Sequence, residues 1–392
     1  MRKKFEAKSS NPNFLRFILE EVDGIMSGNE MNSYERCMAS LNLEEPDRVP
    51  VTSLICTIAA KWAPAYVSDF VKSGELMAKG FGAAHDKFHF DFLDAYPDVG
   101  RIPEAWGCKI TYVEKSYEVT PYISGWIVQK PEEWEKLQNF DPEKKESTAA
   151  LMKSMEMLNK KYGNTVLWAI ESSSPITTST HIRKMSDTLV DVVVSPDLLH
   201  KGLKTITKQW IDVGKASIEH GANAILQICT RATADLLMFG QYLEFGWPYE
   251  EQFLKEMARL FPDAPRLIHV CGDEPYLEAI AEHSIQGFNF YDRGLARSPL
   301  SGFRYSLDKA KEKFGDKRTL IAGIDQNKTA IIGDAEDILC EARDAILWAA
   351  KGGGYWLAAG CDLPPQMSDD KVMALSKAAE KWGKYPLKWS YR

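Results

Sequence analysis

Residues 266–273 read Arg-Leu-Ile-His-Val-Cys-Gly-Asp. Arg266–Val270 has the composition of a strand. On an extended segment side chains two apart leave by the same face, so His269 and Cys271 emerge together. Gly272 then lets the chain turn. An imidazole and a thiol side by side at a strand's end make half of a zinc site, and a third ligand has to come from elsewhere. The candidate is Cys361 in Ala-Ala-Gly-Cys-Asp (358–362), which also follows a short apolar strand, Tyr355–Ala359, and a glycine.

Working outward, the same rhythm of strand then helix repeats from Val49 onward. Strands are expected at Val49–Ile55, Phe92–Tyr96, Thr165–Ile170, Ala222–Ile228, Arg266–Val270, Gly287–Tyr291, Thr319–Ile324 and Tyr355–Ala359. Most are short, rich in Val, Ile, Leu and aromatics, and continuously apolar, which suits strands buried on both faces of a parallel sheet. Helical stretches lie between most of them, for example Pro196–His220, Trp247–Leu260 and Ala335–Lys351. Eight strands with intervening helices predict an α/β fold, a (β/α)8 TIM barrel. Residues 100–147 break the rhythm with Gly107, Pro121, Gly125 and Pro131 and alternating patches, predicting a small β insertion after the second strand.

Upstream, Asn13–Met26 carries Phe14, Phe17, Ile18, Val22 and Ile25 at helical spacing, and Ser33–Leu41 forms a second expected helix. These give an N-terminal helical extension over 1–45, before a catalytic barrel over 46–392. The extension is read as packing or as a contact in a homodimer. In the barrel, His269 and Cys271 end the fifth strand and Cys361 follows the eighth, so all three reach the C-terminal rim where this fold gathers its active site. Two thiolates and one imidazole leave one tetrahedral position open, the catalytic pattern. The rival reading is that His269 donates to a neighbour while both cysteines pack as small apolar groups. Cys229, ending the fourth strand, is a rival ligand that is read as lining the pocket.

The totals narrow the classes. The chain has 392 residues, 45% hydrophobic and 26% charged, enough apolar material for a large core. A net charge of −7 without a long basic run argues against nucleic acid and anionic membrane partners. The start lacks an apolar signal core, and no stretch approaches about 18 uninterrupted apolar residues, so a cytoplasmic protein is expected. Seven scattered cysteines then read as thiols or metal ligands rather than disulfides.

Residues 32–50, Asn-Ser-Tyr-Glu-Arg-Cys-Met-Ala-Ser-Leu-Asn-Leu-Glu-Glu-Pro-Asp-Arg-Val-Pro, resemble the start of the uroporphyrinogen decarboxylase superfamily. Glu104–Cys108, Gly221–Ala224 and Gly360–Pro365 (Gly-Cys-Asp-Leu-Pro-Pro) resemble it too, and the likeness covers roughly 32–385. Decarboxylases carry a Gln-Ala-Gly-Arg-type motif after the first strand. Here that stretch reads Ser-Leu-Ile-Cys-Thr-Ile-Ala-Ala-Lys-Trp (53–62). Decarboxylases also lack the His-x-Cys plus later Cys. Both departures point to the corrinoid-dependent methyltransferase branch, which includes methylcobalamin:coenzyme M methyltransferases and methyl-ether O-demethylase methyltransferases. The resemblance implies zinc on His269, Cys271 and Cys361. No Asp-x-His-x-x-Gly cobalamin signature is present, so the cobalamin is expected on a separate corrinoid protein docking at the barrel mouth.

The expected reaction moves a methyl group from a small methylated substrate, a methoxylated aromatic, to cob(I)alamin. The reasons are the extended N-terminus and a set of aromatics near strand ends: Trp62, Tyr96, Tyr242 and Tyr291, with Tyr66, Trp106 and Phe239, could sandwich an aryl ring, with core or loop packing as the rival reading for each. Arg231 and Arg293, after the fourth and sixth strands, could pair with a substrate carboxylate or sulfonate, and salt bridges within the rim are the equal alternative. Asp325 is chosen with Arg231 for a catalytic role, over Asp98, Glu171 and Asp235, as the carboxylate that orients the metal shell. Three alternatives stand: methylation of a thiol of the coenzyme M type from methylcobalamin, a porphyrinogen decarboxylase, and a non-catalytic barrel that binds a corrinoid protein.

Overall fold

The computed structural model describes residues 30–292 and 306–388. The expected helix Asn13–Met26 and Arg293 lie outside the described residues. Nine strands are described: β1 Phe92–Asp94, β2 Lys109–Thr111, β3 Tyr122–Gly125, β4 Leu167–Ser173, β5 Ala224–Ile228, β6 Arg266–Val270, β7 Gly287–Phe290, β8 Thr319–Ile324 and β9 Tyr355–Ala359. Seven of them form one sheet in the order β1-β4-β5-β6-β7-β8-β9, with every neighbouring pair parallel. β2 and β3 form the separate antiparallel hairpin of the insertion.

The expected first strand, Val49–Ile55, is an irregular stave. Leu357 donates its N–H to Pro50 O (2.9 Å) and Thr52 donates to Leu357 O (3.0 Å), while Asp91 donates to Val51 O (2.7 Å). The segment thus joins β9 to the start of β1 and closes the curled sheet. Pro50 has no N–H to give, so a regular ladder cannot run through it.

Side chains two apart share a face, which sorts the barrel's interior into levels. At its N-terminal half Phe92, Leu167, Ala224, Leu267, Ile321 and Trp356 pack together. Cys37 and Leu41 of the helix Ser33–Leu41 join that cluster, so this helix plugs the lower end. It starts at a capping box between Asn32 and Glu35. One strand-period higher the same faces carry polar groups: Asp94, Glu171, His269 and Asn289. β4 runs to Ser173, three residues past its expected end, and so carries Glu171 onto the inner face. A second, larger apolar cluster fills the space between sheet and outer helices.

Candidate metal centre and cleft

The end of β6 presents His269 and Cys271 on one face, and Gly272 turns away at φ +107°, a conformation that favours glycine. Cys361 arrives two residues after β9. His269 Nε2 lies 2.7 Å from Cys271 Sγ and 3.6 Å from Cys361 Sγ, and the sulfurs are 3.4 Å apart. A tetrahedral zinc with these ligands requires donor separations of about 3.5–3.8 Å from its bond lengths. Two of the three contacts approach that span and the third is shorter. His269 is buried, whereas both cysteines are partly exposed.

Asn289 fixes which imidazole nitrogen is available. It lies beside His269 in the parallel register of β6 and β7. Its amide nitrogen donates to Ile321 O (2.8 Å) and Ala359 O (3.0 Å). Its oxygen therefore faces His269 Nδ1, at 2.6 Å, and that nitrogen must carry the hydrogen. Nε2 is left with its lone pair toward the two thiols, the tautomer that a metal ligand needs. The contact with Cys271 holds the Cys361 thiol well below its ordinary range against the effect of burial, with His269 adding to it. The same contact, with burial, pushes Cys271 up. A bound cation would favour the thiolate form of both. The donor set fits a divalent soft-to-borderline metal such as zinc.

The trio opens on a two-lobed cleft. The first lobe, of about 490 Å³, is walled by Thr177, His181, Ile228, Arg231, Leu236 and Cys271. The second, of about 460 Å³, is walled by Cys271, Tyr291, Gln326, Gly360, Cys361 and Asp362. Arg231 therefore borders the first lobe and Tyr291 the second. Asp325 accepts from the Tyr291 hydroxyl (3.1 Å) and from the N–H groups of Asn327 and Lys328, so it braces Tyr291 and its own turn.

Three expected aromatics are taken up by packing instead. Tyr96 and Tyr242 are 1% and 0% exposed and have no surface to offer a ligand in an open cleft. Tyr242 stacks on Tyr276 and donates to Glu250 (2.7 Å). Trp62 packs on Phe88 and gives its N–H to Asp369. Their residue type and place near strand ends suggested a binding wall, but the helices outside the sheet cover them. Cys229 is also sealed, fully buried with its N–H on His269 O, and stands outside the trio. Asp98 is committed to Arg101 (2.9 Å).

Sequence reasoning missed Asn289, whose signal was only its register opposite His269. It also missed a second group of donors beneath the trio, where Cys56 Sγ approaches Asp94 Oδ2 (3.9 Å) and Glu171 Oε1 (3.8 Å). Burial pushes the Asp94 carboxyl up to about 7 and raises Glu171 well above its usual range, with Asp94 adding to the latter.

Comparison with known proteins supports the fold. A methyltransferase from Methanosarcina mazei superposes with a TM-score of 0.76 at 22% identity, covering 90% of this chain and 99% of that one. A B12-independent methionine synthase from Shewanella, solved with selenomethionine, superposes at 0.51 with 12% identity over 78% of this chain and 87% of its own. In sequence, the methylcobamide:CoM methyltransferase MtbA of Methanosarcina mazei is 23% identical over 252 residues, 62% of this chain and 71% of the relative. A uroporphyrinogen decarboxylase of Campylobacter curvus is 29% identical over 135 residues, 34% of this chain and 39% of its own. The model of one family, described as uroporphyrinogen decarboxylase (URO-D), matches residues 32–382, which takes in the plugging helix, every strand of the barrel and all three converging donors, and the chain belongs to that family.

Proposed function

We propose that this chain is a corrinoid-dependent methyltransferase that binds zinc on His269, Cys271 and Cys361 and transfers a methyl group between a corrinoid on a separate protein and a small substrate in the cleft. The observation that carries this is the trio itself: three donors from two distant strands, one with its tautomer preset, opening on a cleft. The relatives named as methylcobamide:CoM methyltransferases support the same reaction class.

A thiol acceptor is the better reading of direction. The methoxyaryl reading needed an aromatic wall, and of the seven aromatics named for it only Tyr291 walls either lobe. Zinc in the trio would lower the pKa of a substrate thiol and present its sulfur as a nucleophile. The chain's own part is to orient and protect. Asn289 holds the His269 ring; Gly272 turns the chain beside Cys271; Tyr291, braced by Asp325, borders the second lobe above Cys361. Overall the thiol loses its proton and gains the methyl group, and the corrinoid keeps both electrons of the cobalt–carbon bond.

Elemental analysis with a methyl-transfer assay tests this. The wild-type chain should hold about one zinc, and Cys361→Ala should lose most of it, because two remaining ligands hold metal poorly. Methylcobalamin should be consumed with a panel of thiols by the wild-type chain and not by the variant. Unchanged metal in Cys361→Ala would remove that residue from the site. Methyl transfer to cob(I)alamin from methoxybenzoates, with none to thiols, would reverse the direction.

A further inference from the structure

Asp94 and Glu171 are carboxyl groups sealed inside the barrel without a counter-ion. Asp94 is wholly buried and Glu171 is 5% exposed. Among the described residues no lysine or arginine lies within ion-pair distance of either. His269, the basic group that acts on Asp94, spends its ring nitrogens on Asn289 and the two thiols of the trio. Other buried acids are treated differently. Asp91, Asp98 and Asp191 each meet an arginine at 2.7–2.9 Å, and Glu251 meets His283 at 2.9 Å. Asp94 Oδ1, by contrast, has no hydrogen-bond partner. A carboxylate taken out of water costs stability until a proton or a cation joins it.

The third member of the group is a soft donor. Cys56 opens the short turn Cys56–Ile58 that follows the irregular stave, Asp94 ends β1 and Glu171 stands on β4, so three separate stretches converge. Cys56 Sγ lies 3.9 Å from Asp94 Oδ2 and 3.8 Å from Glu171 Oε1, and one donor atom from each residue lies within 4.8 Å of the other two. A thiol has one hydrogen and cannot serve both carboxylates. A divalent ion bound at about 2.3 Å to sulfur and 2.0–2.2 Å to oxygen sets sulfur–oxygen separations of about 3.5–3.7 Å. The group therefore needs to contract by only about 0.1–0.4 Å to grip one. Asp362 acts on the same thiol from the wall of the second lobe, so a cation entering by the cleft meets that carboxylate first.

We infer that Cys56, Asp94 and Glu171 form a second metal site, beneath the trio, for a divalent first-row cation of the manganese-to-cobalt class. One thiolate with two carboxylates is a harder donor set than two thiolates with an imidazole, so the two sites sort different ions, zinc above and the harder cation below. The bound cation balances both carboxylates and ties the Cys56 turn to β1 and β4. The site does not rest on the methyltransferase reading, because it holds its ion whatever the cleft binds.

Titration of the full chain with Co²⁺, after loading with zinc, tests it. The wild-type chain should take up about one cobalt beside its zinc, with the near-ultraviolet charge-transfer band of a cobalt–thiolate bond. Cys56→Ser should abolish that band, and Glu171→Gln should weaken cobalt binding more than about 10-fold, because two remaining ligands hold metal poorly. Zinc content should stay unchanged in both variants, and circular dichroism should show the fold retained. A second zinc that fills in place of cobalt and is lost in Cys56→Ser also puts a cation there. No second equivalent in the wild-type chain up to about 1 mM cobalt overturns the site and leaves a proton shared between two carboxyls. Cobalt that only displaces zinc from the trio, or uptake that survives in both variants, overturns it too. The two readings fail separately. A chain that holds no zinc on the trio yet binds cobalt through Cys56 keeps this site and removes the zinc methyltransferase, whereas zinc on the trio without cobalt on Cys56 does the reverse.

Discussion

Asp91 and Asp94 stand three positions apart at the two ends of the same short strand, both wholly buried, and their carboxylates meet opposite surroundings. Asp91, at the lower end, accepts from Arg36 (2.7 Å), Arg48 (2.7 Å), Ser33 and the Val51 N–H. Burial alone would raise its pKa, but Arg48 and Arg36 outweigh it and hold the group below its usual range. Asp94, at the upper end, faces Glu171 and Cys56, and one of its oxygens has no partner. One end of the barrel spends its charges on holding the fold, and the other leaves them unbalanced. In this fold that unbalanced rim is where ligands and chemistry gather.

The largest test of this contrast is a pair of stability measurements. Asp91→Ala leaves two arginines buried without their shared anion and should cost about 3–5 kcal/mol in denaturant unfolding. Asp94→Asn removes a charge that burial disfavours and should leave stability near pH 7 unchanged or raised. Equal losses would erase the distinction between the two ends.

Metal affinity sharpens the picture next. Asn289→Ala removes the acceptor for His269 Nδ1 and frees the ring to adopt the wrong tautomer, so zinc affinity should fall about 10- to 100-fold. Circular dichroism should show the fold retained. If affinity is unchanged, the Asn289 contact belongs to packing alone.

The contrast also shows in pH dependence in the metal-free protein. The Asp94 carboxyl is raised to about 7 in the fold, against about 3.9 in an unfolded chain. A raised group contributes stability that is fully present below the unfolded value and lost as pH rises through the folded one. Wild-type stability should therefore decline between about pH 4 and 7, and Asp94→Asn should flatten that slope. Asp91 runs the other way: its depressed pKa gives stability that is present above about pH 4 and lost as acid protonates it. Urea midpoints across pH for the two Asn variants would resolve both slopes.

The barrel was legible because its strands are buried on both faces and so read as unbroken apolar runs between helices. β5, β6, β8 and β9 fall within two residues of their expected bounds. The stave at Val49–Ile55 was expected as a strand of full length, and Pro50 reduces it to one bridge. His269, Cys271 and Cys361 were legible because soft donors at strand ends are chemically conspicuous. The aromatics were not, since ring type reveals nothing about which side of a strand end the outer helices will cover; Tyr242 and Tyr96 ended inside.

By itself the sequence determined the strand–helix alternation, the choice of three soft donors and the glycine that turns the chain beside them. Those follow from composition and from the two-residue period of an extended chain. Only the tertiary structure decided that Asn289 presets the His269 tautomer, that Asp94 joins Cys56 and Glu171 while Asp91 joins two arginines, and that Arg231 is held by threonine oxygens at the wall of the cleft. Each depends on the register between strands distant in the chain and on what water can reach, and neither quantity is local to any stretch of residues.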